Sequence, residues 1–507
     1  MIPQTTLSLC QGVQVTRDFS HTMTFPDATR QADYFRSKIL MTFTEITYQR
    51  LDKSVKVPCN ADLLRSVNYM MFKNENYTDK WFYAFVDSVE YLSPQASAIH
   101  FTIDPWQSYY FQITWKNCMI AREHVSVDSA TVNRIDEGID IGKVETISYE
   151  SIDDLEDLCV IVAVTKTPAG VAVEGSFLSG VYAGTAYYYF VNDGAINAFL
   201  ADYITSPDSV KVIFMMPTSL LGGYTYTDGD VINVASMGYY LSHSTTKISS
   251  GEINGYTPIN KKCYQYPYNY LEVSNQQGSV SQFAYEDWNT AFSTTDCIFQ
   301  IFGNIAPSPT VYLIPSQYKN SYLDSSEMST LSGYPLCTWT YDAFSSWLAQ
   351  HSVTNALSVG TSILSIASGA MTKSPMAIAS GVMGFAETIG GFYEKSLQAN
   401  PLKGSATGGG NISAAIQNFR LAKKAITPER MKIIDNYFTM YGYKVNRMET
   451  PNILSRDHWN YLQVSEANIL GAMPMEHMET IRSTLRNGIT FWHDEDVCNY
   501  NRSNAIV

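Results

Sequence analysis

Between residues 343 and 372 the chain has no formally charged side chain, and after Lys373-Ser374-Pro375 a second uncharged run covers 376–386. Few environments suit such a stretch. In the window 353–372, ten of twenty residues are apolar: Val353, Ala356, Leu357, Val359, Ile363, Leu364, Ile366, Ala367, Ala370 and Met371. The rest are Ser, Thr, Asn or Gly. A bilayer span needs about 20 mostly apolar residues, so the window has the length without the full hydrophobicity. Hydroxyl side chains can bond back to a helix backbone and are tolerated in lipid. Small residues at four-residue steps, Ala377 with Gly381 and Ser380 with Gly384, let helices pack closely. Lys373-Ser374-Pro375 reads as the turn of a helical hairpin. Gly404-Ser-Ala-Thr-Gly-Gly-Gly410 reads as a flexible linker behind it. Two readings stay open: a hairpin buried in a globular core, or a segment that is covered in one state and meets lipid in another. Under the second, the candidate plug and membrane side chains are Val353, Leu357, Val359, Ile363, Leu364, Ile366, Met371, Met376, Ile378, Val382, Met383 and Phe385.

The remainder of the 507 residues is of a different kind. Charged residues are 16% of the chain, 35 residues are Tyr, and the formal net charge is −14. That balance argues against a nucleic-acid-clamping surface, which needs concentrated Lys and Arg. Apolar content of 45% excludes disorder. The eight Cys are scattered without any CxxC, as expected of small core residues in a protein made in a reducing cytoplasm. No base precedes Arg17, so the start lacks the n-region of a secretory signal. Strands are expected at 81–91 and at 98–103, with Ile99, Phe101 and Ile103 on one face and His100, Thr102 and Asp104 on the other. Another is expected at 109–115, with Tyr109, Phe111, Ile113 and Trp115 aligned. Further strands fall at 160–164, 181–191 and 211–216. Beyond 420 the pattern changes. Thr427-Pro428 starts a helix with Met431, Ile434, Phe438 and Tyr441 as its stripe and Gly442 as its stop. Pro474 starts a second, with Met478, Ile481, Leu485 and then Gly488. Strands are expected at 443–448, 459–464 and 489–492. The fold class is mainly β with an α+β carboxyl-terminal part.

Several runs then become recognisable together. Residues 101–111 read Phe-Thr-Ile-Asp-Pro-Trp-Gln-Ser-Tyr-Tyr-Phe, followed by Arg122-Glu-His-Val125 and Asp136-Glu-Gly138. Downstream come Ile434-Asp-Asn-Tyr-Phe-Thr-Met-Tyr-Gly-Tyr-Lys-Val-Asn-Arg447, Asn460-Tyr461 and Asn487-Gly-Ile-Thr-Phe-Trp-His493. This order resembles the tail-knob, or distal tail-tube, proteins of small short-tailed bacteriophages of the Picovirinae type. It covers roughly 80–150 and 430–507, and the hydrophobic segment falls in the matching place. The resemblance implies a homohexameric β-sheet tube in the virion tail tip, made in the host cytoplasm. It implies a tube wall from 1–125 and 421–507, outer β-rich knob domains from 126–342, and a hydrophobic plug and pore insertion at 343–420. The implied partners are other tail proteins (the proximal tube or lower collar, and the tail tip), double-stranded DNA passing without specific binding, and the host cytoplasmic membrane through 343–395. Six copies of an acidic chain suit a lumen along which phosphate slides without sticking. His351, Glu387 and Glu394 are candidate pH sensors for release of the insertion.

Enzyme signatures are missing: there is no GxSxG, HExxH or Walker A. No cofactor, metal or catalytic residue is expected. His493-Asp-Glu-Asp496 and Asp153-Asp-Leu-Glu-Asp157 read as solvated turns, since neighbours in sequence do not converge on one ion or flank one glycosidic bond. The alternative function is a host-surface glycan-binding or wall-degrading tail component. For that reading Trp106, Tyr109 and Tyr110 are a candidate sugar platform, against a core role.

Overall fold

A computed structural model describes residues 4–49, 53–74, 78–125, 134–152, 155, 157–174, 176–178, 181–221, 224–232, 239–276, 278–303, 310–331, 337–340, 403–406, 410–413 and 418–507. The chain divides into two compact units. The first comprises Met1–Asp140, Thr257–Cys263 and Glu429–Val507, and the second Ile141–Tyr256 and Tyr264–Pro428.

In the first unit a seven-stranded sheet runs in the order Ile39–Ile46, Thr5–Gln11, Val67–Asn74, Thr78–Ser93, Ala96–Ile103, Ser54–Val57, Tyr48–Gln49. Both of its faces are covered. Leu7, Leu9, Met70, Phe72, Ile99 and Phe101 belong to one apolar cluster. Cys10, Tyr69, Met71, Tyr83 and Phe85 pack on the other side with Phe35 of the helix Ala28–Ser37 and with Trp459 and Trp492. This is why 81–91 opens without polar alternation: odd and even side chains enter different cores. A five-stranded sheet is assembled from both chain ends, in the order His21–Met23, Ile489–Trp492, Trp459–Glu466, Cys118–Glu123, Tyr443–Glu449. Its outermost amino-terminal strand pairs in parallel with Ile489–Trp492.

The helices Pro428–Tyr441 and Met475–Asn487 form where expected and bury the expected stripes, Tyr441 being half-buried. Each stops at a glycine that a side chain would ruin. Gly442 has φ +63°, and a Cβ there would lie 2.2 Å from the Glu123 carbonyl oxygen. Gly488 has φ +91°, and a Cβ there would collide with the Tyr461 hydroxyl.

The second unit has three larger antiparallel sheets around one apolar cluster that runs from Ile152 to Leu421. One is Val144–Ser151, Arg420–Ile426, Asn269–Ser274, Val280–Phe283. The next is Ala186–Phe190, Leu158–Val164, Val210–Pro217, Cys337–Thr340, Gly410–Ser413, Lys403–Ala406. The third orders Tyr239–Thr246, Asp296–Gly303, Val311–Tyr318 and Ser321–Leu323, with Ser329–Leu331 also on Val311–Tyr318. Asp296–Gly303 alternates buried and half-buried residues along its whole length, the period of a strand.

Four readings of the sequence need correction. Residues 109–115 are not a strand: Pro105–Tyr109 is helical and Tyr110–Gln112 continues as a 3-10 turn, leaving Thr114–Trp115 as strand. The cause is Asp104, whose carboxylate caps the Gln107 amide at 3.1 Å, with Pro105 pre-set in the first turn. Asp104 is therefore not on a solvent face; it is fully buried and also accepts from the Tyr69 hydroxyl at 2.8 Å. Lys403–Ala406 and Gly410–Ser413 are paired strands, with Ala406 opposite Gly410, so the glycine-rich tract is no open linker. Of the cysteines, Cys10, Cys59, Cys118, Cys159, Cys263 and Cys297 are buried free thiols, but Cys498 is exposed.

Candidate functional site

All twelve candidate plug and membrane side chains, from Val353 to Phe385, lie outside the described residues, as do His351, Glu387 and Glu394. What is visible is how the two ends of 341–402 are held. Cys337–Thr340 pairs on one side with Val210–Pro217, placing Thr340 opposite Val212, and on the other with Gly410–Ser413, placing Trp339 opposite Gly410. Lys403, where the chain re-enters, sits opposite Ser413 at the other end of that same strand. The chain thus leaves one end of the sheet and returns at the opposite end, two strands over. Four residues of strand rise and two strand spacings separate the anchor points, about 13 Å along and ~10 Å across. The support is firm. Val210–Pro217 also pairs with Leu158–Val164, whose residues Cys159–Val164 have no exposed surface.

The recognisable motifs all fall in the first unit, where they interlock. Arg122 donates to the Gly442 carbonyl at 2.7 Å, pairs with Glu137, and lies 4.9 Å from the Tyr437 ring centre. The other Glu137 oxygen accepts from the Lys444 amide at 2.9 Å. Arg447 joins Glu123 (2.9 Å) and Glu449 (2.6 Å). Burial first, then the hydrogen bond with Glu449, raises the Glu123 carboxyl to about 8. Burial acts the same way on Glu449, but its bonds with Glu123 and Arg447 prevail and hold it low.

His124 receives the Tyr461 amide on Nδ1 at 2.7 Å, so its proton is on Nε2, which donates to the Thr439 carbonyl at 3.1 Å. Burial, then the nearby Arg456, lowers its pKa to about 3. His493 is half-buried and neutral, between Thr24 and Asn460, with its pKa lowered to about 4 by burial. Asp435, fully buried, was missed by the sequence reading as anything but a helix residue. It holds Thr257–Cys263 to the first unit: its carboxylate accepts from Ile259 N at 2.5 Å, Asn260 N at 2.8 Å and Asn260 Nδ2 at 2.7 Å. A carboxylate in the middle of a helix pattern gives no signal of a distant partner.

These groups position strands; they do not converge on a reacting atom. Among the described residues no group of three or more His, Cys, Asp or Glu could hold a metal ion. Asp494 instead accepts from His458 at 2.9 Å and Arg502 at 3.0 Å. Asp153, Asp154 and Glu156 lie outside the described residues. Trp106 and Tyr109 are core residues, 0% and 7% exposed, and Tyr110 is half-buried, so they make no sugar platform. No helix among the described residues is long and apolar enough to cross a membrane.

Residues 3–115 match the Caudoviral major tail protein N-terminus, which defines the class as a tail protein of tailed phages. Residues 236–505, more than half of the chain, match the family described as Bacillus phage phi29, tail knob protein gp9, C-terminal domain. The chain belongs to this tail knob protein family and is a structural component of the virion tail. It is 25% identical to the tail knob protein gp9 of Bacillus phage PZA and 23% identical to that of Bacillus phage phi29, covering 99% of this chain and 98% of each relative. The tail knob protein gp12 of bacteriophage C1 shares the fold, with a TM-score of 0.67 at 14% identity over 99% of this chain and all of that one.

Proposed function

We propose that this protein forms the distal, DNA-conducting part of the phage tail as a homohexameric tube, and that residues 343–395 close the tube before ejection and then enter the host membrane as a pore. The observation that carries the reading is the uncharged segment at 343–372 and 376–386 in a tail knob protein, supported on a sheet that is anchored in a dry core. One copy of a half-apolar segment has little to bury itself against. Six copies converging on an axis, or a bilayer, supply that cover. Val353, Leu357, Val359, Ile363, Leu364, Ile366, Met371, Met376, Ile378, Val382, Met383 and Phe385 are the side chains assigned to plug and lipid contact. Under this reading 1–125 and 421–507 build the tube wall and 126–342 the outer knob. The partners are other tail proteins, passing double-stranded DNA and the host membrane.

The test is electron microscopy of the purified full-length chain beside a variant in which 343–400 is replaced by ten Gly/Ser residues, long enough to join Thr340 to Lys403. Sixfold tubes closed at one end, opened by the replacement, are expected, with dye release from vesicles lost in the variant. Open wild-type tubes, or equal vesicle leakage by both proteins, would refute the plug-and-pore assignment.

A further inference from the structure

We propose that a cleft in the first unit, between the strand Thr78–Ser93 and the helix Pro105–Tyr109, is a binding site for one neutral sugar residue of a surface polysaccharide. The cleft exists because pairing with Ala96–Ile103 begins only at Ala84, so on that side Lys80 to Tyr83 have the helix beside them in place of a strand. It encloses about 230 Å³ and is lined by Gln31, Lys80, Trp81, Gln107, Phe111 and Gln112 among others.

The donor set narrows the ligand. Gln31 is 3% exposed, and its amide nitrogen is committed to the Gln107 carbonyl (2.8 Å) and Gln107 Oε1 (2.9 Å). Its own Oε1 has no partner among the described residues, and the residue lines the cleft. An acceptor at the cleft with no protein donor is open to a hydroxyl or amide from a ligand. Gln107 cannot supply it, because its nitrogen donates to Thr22 Oγ1 and the Met23 carbonyl. On the opposite wall Lys80 gives one proton to Gln112 Oε1 at 3.1 Å, and its Nζ rests 4.1 Å from the Tyr109 ring centre and 5.1 Å from that of Phe82. Burial lowers this amine to about 8. A single ammonium with weakened basicity, already shared with an amide and two rings, is a poor anion site. The lining residues include no carboxylate, which argues against a cation. Acceptor and donor on facing walls suit hydroxyls, which do both. The half-buried Trp81 indole and the exposed Phe111 ring offer the apolar surface that the C–H face of a pyranose needs. The small volume fits one sugar unit.

The test is saturation-transfer NMR of the full-length protein with glucose, galactose and N-acetylglucosamine, with inorganic phosphate as the charged control. At least one sugar should bind saturably with roughly millimolar affinity. Phe111→Ala removes an exposed ring without touching the core and should weaken binding about tenfold, as should Gln31→Leu. Absence of saturable binding by all three sugars, unchanged binding in Phe111→Ala, or competition by phosphate would overturn the assignment.

Discussion

Removing the Asp435 carboxylate should release Thr257–Cys263 without unfolding the unit that holds it. The carboxylate accepts three bonds from this segment, two of them from the backbone amides of Ile259 and Asn260. In Asp435→Ala, Asn260 Nδ2 keeps the Asp435 carbonyl at 3.0 Å and Thr439 Oγ1 at 2.7 Å, so that donor loses least. The two backbone amides lose their acceptor. A hydrogen bond to a charged group is worth about 1.5–3 kcal/mol. Ile259 is 70% exposed, so water restores part of its loss. The local cost is therefore about 2–4 kcal/mol, which accelerates exchange of these amides by about 30- to 1,000-fold if opening is governed by equilibrium. Hydrogen exchange followed by mass spectrometry, on a peptide spanning 257–263, reads it directly. A peptide from Trp459–Glu466 serves as the internal reference and should not change. Asp435→Asn retains one acceptor oxygen and should fall between. Exchange at Ile259 and Asn260 within threefold of wild type in Asp435→Ala would refute the idea that this carboxylate is the clasp.

Three further outcomes follow from buried groups of the same unit. Asp104 is held near pKa 6 by burial, above its ordinary 3.8, so it costs stability as pH rises through about 4 to 6. Asp104→Asn keeps a capping oxygen and should gain up to ~3 kcal/mol on wild type between pH 4 and pH 7 in urea unfolding; a pH-independent difference would contradict this. His124, lowered from 6.5 to about 3, acts in the opposite sense: its contribution is complete above about 6.5 and is lost as pH falls. Between pH 7.5 and pH 5 wild type should therefore lose ~2 kcal/mol relative to His124→Asn, and parallel curves would refute the neutral assignment. Gly442→Ala must displace the Glu123 carbonyl 2.2 Å from the new methyl and sits at φ +63°, so a loss of ~3 kcal/mol or more is expected. A denaturation midpoint equal to that of wild type would show that the two strands can separate there at no cost.

What could be read from the sequence follows from the range over which each signal acts. Periods of 2 and 3.6 are local, so the strands near 98–103 and 160–164 and both late helices were legible, their glycine stops included. The error at 109–115 came from weighing aromatic alternation above a cap and proline four residues earlier. Tyr109, Phe111 and Ile113 alternate, but Asp104 had already committed the backbone to a turn of helix. The glycine tract misled for a related reason: Gly404 and Gly410 are flexible by composition, and partners across the hairpin give them strand geometry. Asp435 and its contact with Ile259 and Asn260 were illegible, because no local pattern encodes a bond between residues 176 positions apart. The cleft beside Lys80 likewise depends on where Ala96–Ile103 stops relative to a neighbouring strand.

The motifs that made the chain recognisable mark places where chemistry, not volume, is constrained. Arg122, Glu123, His124, Glu137, Asp435 and Arg447 are polar groups at buried or half-buried positions, each tied to a particular donor or acceptor. In a low-dielectric setting a half-satisfied network is worse than an apolar core, so few residue types can stand there. The second unit is built otherwise. Its core is Val, Ile, Leu, Phe and Tyr from Ile152 to Leu421, which volume-matched apolar residues can replace at small cost. A fold can thus be shared over 99% of this chain at 14% identity. By the same reasoning, a segment defined by low charge and half-apolar composition needs no fixed sequence. Its signature is composition between two anchored strand ends, and that is the form in which 343–386 stands out.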